Sequence, residues 1–383
     1  MSLSEGDQYP VEKSAPLRKS LPTSLIAAGI TAFLLIFLIG GKGRTTEALI
    51  AGLIFATIGG LFTFFILRTG RVNTSRLILF IGMGLFFTIA YTLDHQVNRG
   101  SILLTNSQIK NADVPICPIT VPFVTPPLVI RGKMIFPATV KAFWSIGIFW
   151  LGFALLFGRG WCSWLCFFGG IDQTCAVAKK KPFLKMEGLS RIWRYFPYAL
   201  LLFLILVALG FLYPLYCAWL CPLRIVYDPP AVNTTLEWLM AVVFIVGGMV
   251  FLIAGPFLTK KRLYCSLICP LLPAAAIIGR LSPFRIKVDR EKCIDCGKCV
   301  KVCETFAMTK ESVANGETTM ECAKCGKCID GCPKGAIDYR LIGTNIGVRP
   351  VFITLAVIFN LLIMSTFIMT LVDYFQTGGI RFH

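Results

Sequence analysis

The chain has 383 residues, a net charge of +18 from 38 Lys and Arg against 20 Asp and Glu, 56% hydrophobic residues and 15% charged ones. Soluble domains carry about 25% charged residues, so the composition excludes an ordinary soluble enzyme and gives the apolar excess to a bilayer. The basic residues cluster in short stretches beside apolar runs, the pattern of membrane loops rather than a nucleic-acid footprint.

Seven runs of roughly the 20 apolar residues that a bilayer requires occur near 24–41, 47–67, 76–93, 138–158, 195–216, 237–258 and 351–372. They predict an α-helical integral membrane protein of about seven transmembrane helices. The polar tail before the first run has no small-residue cleavage site after a short apolar core, so the first run reads as a retained helix. Lys13, Arg18, Lys19, Arg68, Arg71, Arg76, Lys179, Lys180, Lys181, Lys260, Lys261 and Arg262 fall in alternate loops. This places the N-terminus in the cytoplasm, the C-terminus outside and the protein in the inner membrane. The expected divisions are a tail at 1–23, a six-helix membrane domain at 24–282, a polar segment at 283–345, and a last helix with its tail at 346–383.

The polar segment carries the most specific pattern. Residues 293–303 read CIDCGKCVKVC and residues 322–332 read CAKCGKCIDGC. Each is C-x2-C-x2-C-x3-C, in which three thiolates wrap one cubane and the fourth reaches the other. The pattern predicts an inserted α+β bacterial ferredoxin-like domain with two [4Fe–4S] clusters. Cluster I takes Cys293, Cys296, Cys299 and Cys332; cluster II takes Cys322, Cys325, Cys328 and Cys303. Gly297 and Gly326 let the loop backbone close on the clusters. Zinc sites more often use separated C-x2-C pairs. Glu304 stands where proline usually follows the fourth cysteine.

A second pattern, C-x3-C, occurs at Cys162/Cys166, Cys217/Cys221 and Cys265/Cys269. On a helix these spacings put both thiols on one face. The first and third pairs follow helices ending on the inner side, and together they predict a membrane cluster III. The second pair follows an outward-running helix and, with Cys117, forms an outer set for a cluster IV. That set lacks a fourth ligand: Cys175 completes the count of 16 cysteines but falls in an inner loop, while His95 and Asp228 lie on the outer side. A disulfide plus a free thiol is the plain alternative for the outer set, and an ordinary buried thiol for Cys175.

The order of GRGWCSWLC, a later CxxxCP and two ferredoxin motifs resembles the membrane polyferredoxins of the NapH and NosR type over residues 138–340. The resemblance implies an iron–sulfur relay that takes electrons from quinol or a cytoplasmic donor and passes them to other subunits of a redox complex. Phe167 replaces the family's proline after Cys166, and the Cys117/Cys217/Cys221 set is additional, suggesting a relay that reaches the outer face.

Arg159, Lys260, Lys261 and Arg262 precede the inner thiol motifs, where positive charge raises a cluster's potential; topology alone also places cations there. Trp161, Trp164, Tyr216, Trp219 and Tyr264 crowd the same motifs and exclude water. Two further readings stay open: a quinol dehydrogenase whose own quinone site uses Asp94 and His95, and a redox accessory protein of an assembly or sensing kind. No nucleotide-binding or hydrolase fingerprint is present.

Overall fold

The computed structural model describes residues 17–40, 45–94, 119, 121–133, 140–179, 181–186, 188–213, 215–222 and 234–376. Of the sequence expectations, those on Lys13, His95, Cys117, Lys180 and Asp228 lie outside the described residues. Over most of its described residues, each predicted apolar run lies on a helix. Six spans are long and apolar enough to cross a bilayer: Ser20–Phe37, Leu49–Thr69, Val72–Ile89, Gly147–Val177, Ile192–Phe211 and Trp238–Thr259. A further apolar stretch, Arg349–Ser365, opens the 28-residue helix Arg349–Gln376.

In chain order the helices are α1 (Leu17–Gly40), α2 (Thr45–Thr69), α3 (Val72–Asp94), a short α4 (Val121–Arg131) and α5 (Val140–Phe157). They continue with α6 (Phe167–Val177), α7 (Arg191–Phe211), α8 (Thr235–Met249, extended by a π-turn and Gly255–Thr259) and α9 (Leu271–Ile278). Their outer faces leave large apolar side chains such as Phe33, Phe37, Leu53, Ile148 and Phe203 exposed, as lipid contact requires.

Two stretches turn back into the bundle instead of crossing it. After α5 the chain runs inward until the Trp164 carbonyl accepts from Asn360 Nδ2 at 2.6 Å in the last helix. Phe167 then stacks on Phe87 of α3. Helix α6 returns with Gly170 pressed on α3, where a Cβ would lie 2.8 Å from the Phe80 carbonyl and 3.0 Å from Gly84 Cα. Residues 260–281 enter beside it: Tyr264 stacks on Phe168 at 5.4 Å, and the chain leaves with Gly279 against Gly158. Irregular backbone at membrane depth is tolerated where protein buries it, and here it is enclosed by α3 and the last helix.

The polar segment folds on this base. Strands β1 (Phe284–Val288) and β2 (Ile337–Leu341) pair antiparallel with Phe284 opposite Leu341 and Val288 opposite Ile337. Alternation turns Phe284, Ile286, Val288, Ile337 and Tyr339 inward. Between them lie three one-turn helices, α10 (Lys298–Val302), α11 (Lys310–Ala314) and α12 (Lys327–Gly331). The last helix, α13 (Arg349–Gln376), passes directly beneath: Tyr339 stacks on its Phe352 at 4.4 Å, and Arg349 Nε donates to Asp338 at 2.7 Å.

The module is tied to the membrane body by a helix cap. The Asp330 carboxylate accepts from the backbone amides of Val72 (3.0 Å) and Asn73 (2.8 Å), so a module side chain satisfies the orphan donors that open α3. Gly326 fits the same junction. Its φ is +80°, and a Cβ there would lie 2.7 Å from Val72 Cγ1. The sequence assigned this glycine to cluster wrapping; in the fold it also lets module and membrane helix touch.

Candidate metal centre

The three C-x3-C loops share one backbone design, which is not the plain helix that their spacing suggested. The amide of the second cysteine donates to the carbonyl five residues back: Cys166 to Trp161 (3.0 Å), Cys221 to Tyr216 (2.8 Å) and Cys269 to Tyr264 (3.1 Å). The second cysteine then leaves the helix in an extended conformation, with φ/ψ of −87°/124°, −75°/116° and −67°/117°. The fourth cysteines of the module, Cys303 and Cys332, adopt the same conformation, at −65°/117° and −84°/115°. The common geometry throws each sulfur off a helix end. Thus the Cys166 sulfur lies near the backbone amides of Phe168 and Gly169, and the Cys269 sulfur near those of Leu271 and Leu272. Amides at a helix start favour thiolate, the form that binds iron.

Several of the sulfurs lie close enough to interact. Cys269 lies within electrostatic reach of Cys162 and Cys166, and Cys265 of Cys162 and Cys269. All four are buried. In the module, burial first and then neighbouring Cys322, Cys325, Cys303 and Cys299 push the Cys328 thiol well above its ordinary range, so the two cysteine motifs sit close together. Burial chiefly, with Cys332, Cys293 and Cys296 adding, pushes the Cys299 thiol to about 11. Such costs vanish when the thiols are ligated as thiolates.

These sites suit cubanes. A cavity of about 340 Å³ is lined by Cys293, Cys296, Cys299 and Cys332. Among the described residues, no three His, Cys, Asp or Glu side chains converge tightly enough for a single metal ion; zinc would need sulfurs about 2.3 Å from one centre. None of the described cysteines is disulfide-bonded to another.

Charge supports the same fit. Arg76, Arg159 and Arg262 are fully buried around the membrane set; the sequence pointed to Arg159 and Arg262 there, while Arg76 read only as a loop cation. Arg262 donates to the Cys162 carbonyl, to Ser163 Oγ at 3.2 Å and to Cys265 Sγ at 3.3 Å. Arg76 holds the Ser163 carbonyl (2.6 Å) and Gln173 (3.1 Å), and Phe80 lies between the two guanidiniums at 5.3 and 5.6 Å. The buried acids are Asp172, which accepts the Cys265 amide at 3.0 Å, and Glu304, which binds Lys327. Among the described residues, three buried guanidiniums face two buried carboxylates, an excess of positive charge that buried thiolates would balance. Burial alone would raise the Glu304 carboxyl, but Lys327 and then Arg76 more than offset it and hold it below its usual value.

Module and membrane sites abut. Ser163 Oγ donates to the Ala323 carbonyl at 2.7 Å, Trp164 Nε1 to the Lys324 carbonyl at 3.1 Å, and Arg159 bridges the carbonyls of Glu321 and Cys265. The Cys322–Cys325 loop thus rests on the Cys162–Cys166 loop. On the far side Tyr216 and Tyr264 join hydroxyls, and Tyr264 lies within reach of both Cys269 and Cys221. The motif expected at the outer end of its helix therefore packs against the membrane set. Cys175 sits half-buried on α6, three residues after Asp172, whose charge it feels. Of the quinone candidates, Asp94 ends α3 and His95 lies outside the described residues.

This is a membrane protein with built iron–sulfur sites, and comparison with known proteins agrees. Residues 292–337 match the 4Fe-4S dicluster domain family, and residues 142–183, 193–232 and 238–289 match the 4Fe-4S binding domain family, once for each C-x3-C loop. The chain is 32% identical over 158 residues to the electron transport protein YccM of Escherichia coli, covering 39% of this chain and 42% of that one. It is 28% identical to the ferredoxin-type protein NapH of Haemophilus influenzae, over 40% of this chain and 50% of NapH. It is 25% identical to the methylamine utilization ferredoxin-type protein MauN of Methylorubrum extorquens, over 60% and 77%. The chain thus spans half or less of YccM and NapH. No solved structure matches it. The chain is similar to the ferredoxin-type membrane proteins NapH and MauN and to NosR, and it carries the 4Fe-4S domains that these matches share.

Proposed function

We propose that the chain is the electron-carrying subunit of a membrane redox complex, with its thiolate sites in series from the module surface into the lipid-embedded body. Cluster I is assigned to Cys293, Cys296, Cys299 and Cys332, cluster II to Cys322, Cys325, Cys328 and Cys303, and cluster III to Cys162, Cys166, Cys265 and Cys269. Cys217 and Cys221 begin a fourth set with Cys117, completed by Cys175, His95 or Asp228. Each cluster accepts and returns one electron with little ligand movement.

The observation that carries this reading is the bonding of the Cys322–Cys325 loop to the Cys162–Cys166 loop through Ser163 and Trp164. It sets the two cysteine loops side by side, joined through buried side chains. At the surface end, Cys296 is the exposed cysteine of the described set, which suits it as the port for a soluble partner. Arg68 and Arg71 lie at the module end of α2 and α3, supporting a cytoplasmic module in the inner membrane, the N-terminus on the same side and the C-terminus outside.

The donor is either a quinol in the bilayer or an aqueous redox protein. Adding a quinol analogue and a membrane-impermeant low-potential reductant separately to the anaerobic, iron-loaded chain distinguishes them by EPR. The relay reading expects the impermeant reductant to reduce every cluster signal, including that lost on Cys166→Ser replacement. A membrane signal left oxidised beside a fully reduced module would contradict it.

A further inference from the structure

A second cavity, of about 160 Å³, lies where the membrane body meets the module. Arg159, Arg280, Arg285 and Lys324 line it, against a single lining acid, Glu317. Glu317 is already engaged by Lys287 at 3.8 Å and is largely exposed. Two of the guanidiniums and the Lys324 amine are held rigidly by neutral acceptors. Arg159 binds the Glu321 and Cys265 carbonyls, Arg285 the Gly279 carbonyl at 2.7 Å, and Lys324 the Phe157 carbonyl and Ser282 Oγ, both at 2.8 Å. Carbonyls satisfy N–H groups without cancelling their charge. Arg280 is exposed and reaches the Met320 sulfur at 3.8 Å. Two lining groups, Arg159 Nε and Thr319 Oγ1, are buried with no hydrogen-bond partner.

The depth of the cavity is fixed by α7. Tyr198 of that span donates to the Met320 sulfur and to Glu321, each at 3.2 Å. Trp193 and Tyr195 lie exposed one turn earlier, as in an interfacial aromatic belt. Ile277 and Leu281, 55% and 73% exposed, flank Arg280. The cavity thus opens at headgroup level, with apolar surface toward the lipid and fixed positive charge within. Sites for drug-sized ligands run to about 300–1,000 Å³; this one has room for a phosphate group.

We infer that this cavity binds a phosphate group, presented by an anionic phospholipid or by free phosphate, with Arg280 as its outer clamp beside cluster II. Basic pockets at this level take acidic headgroups by charge and by bidentate guanidinium contacts. The inference does not rest on the direction or partners of electron flow.

The test uses the iron-loaded full chain, delipidated in neutral detergent. Its thermal midpoint is followed against dihexanoyl phosphatidylglycerol, dihexanoyl phosphatidylcholine and inorganic phosphate. Phosphatidylglycerol should raise the midpoint saturably and phosphatidylcholine should not. Arg280→Gln should weaken the apparent affinity about tenfold, ~1.4 kcal/mol, with iron content unchanged, and Arg280→Lys should retain most of it. Competition by inorganic phosphate would identify the free ion as a ligand of the site; its absence would assign the site to lipid. Equal effects of the two lipids, or unchanged phosphatidylglycerol binding in Arg280→Gln, would overturn the inference.

Discussion

Tyr216 and Tyr264 face one another inside the bundle, each one residue before a cysteine and each closing the same five-residue turn. Their joined hydroxyls link the Cys217/Cys221 loop to the Cys265/Cys269 loop, so two thiol motifs at the ends of different membrane helices share one interior wall. Both rings are buried, which makes the pair costly to break on one side only.

Tyr216→Phe should therefore strand the Tyr264 hydroxyl and lower stability by about 1–3 kcal/mol. The double replacement, which removes both hydroxyls, should recover a large part of that loss. A double-mutant cycle on thermal unfolding of the iron-loaded chain measures it. Strictly additive losses would show that the two hydroxyls do not interact.

Asp330 supplies a second junction. Replacing it by alanine uncovers the Val72 and Asn73 amides and should cost about 0.5–2 kcal/mol, as lost helix caps do. Because the cap spans module and membrane body, the expected sign is faster protease release of residues 283–345, read by limited proteolysis, with cluster absorbance initially unchanged. Proteolysis at the native rate would remove Asp330 from the docking contact.

Arg262 lies 3.3 Å from Cys265 Sγ and carries charge into a site with no exposure to solvent. Arg262→Gln keeps a donor but deletes the charge. The membrane cluster's midpoint should become more negative, because the more reduced, more negative state loses the larger stabilisation. Breaking the network should also cost about 3–5 kcal/mol of stability. Arg262→Lys should restore part of the potential. An EPR-monitored redox titration reads both; a midpoint unmoved in Arg262→Gln would leave the residue a packing role alone.

Which features were legible in the chain follows from what each pattern constrains. The module's cysteines were readable because cubane ligation demands fixed spacings, and residues 292–337 match the 4Fe-4S dicluster domain family. The apolar runs were readable because a bilayer dictates their length. The re-entrant hairpins were not: the apolar run of α5 continues through Trp161–Val177, and hydropathy cannot distinguish a crossing from a return. The C-x3-C spacing suggested helical i, i+4 presentation, but the second cysteine instead leaves the helix after an i→i−5 bond. Arg159 and Arg262 were legible as charges beside the thiol motifs, but Arg76 read as a loop cation, since sequence cannot tell an arginine at a membrane edge from one folded against thiols. The signal for the first two was their position close to cysteine pairs, as in GRGWC. Helix α4 was missed because Pro126 and Pro127 interrupt its pattern.

The central claim is that membrane-buried thiols bind iron. Iron and acid-labile sulfide, counted on the intact chain purified without oxygen, test it most directly when the native protein is compared with Cys166→Ser. The account predicts about twelve irons per chain or more, falling by about four in the variant, as loss of one cubane requires. A count of about eight, identical in both proteins, would confine the clusters to the module and contradict it.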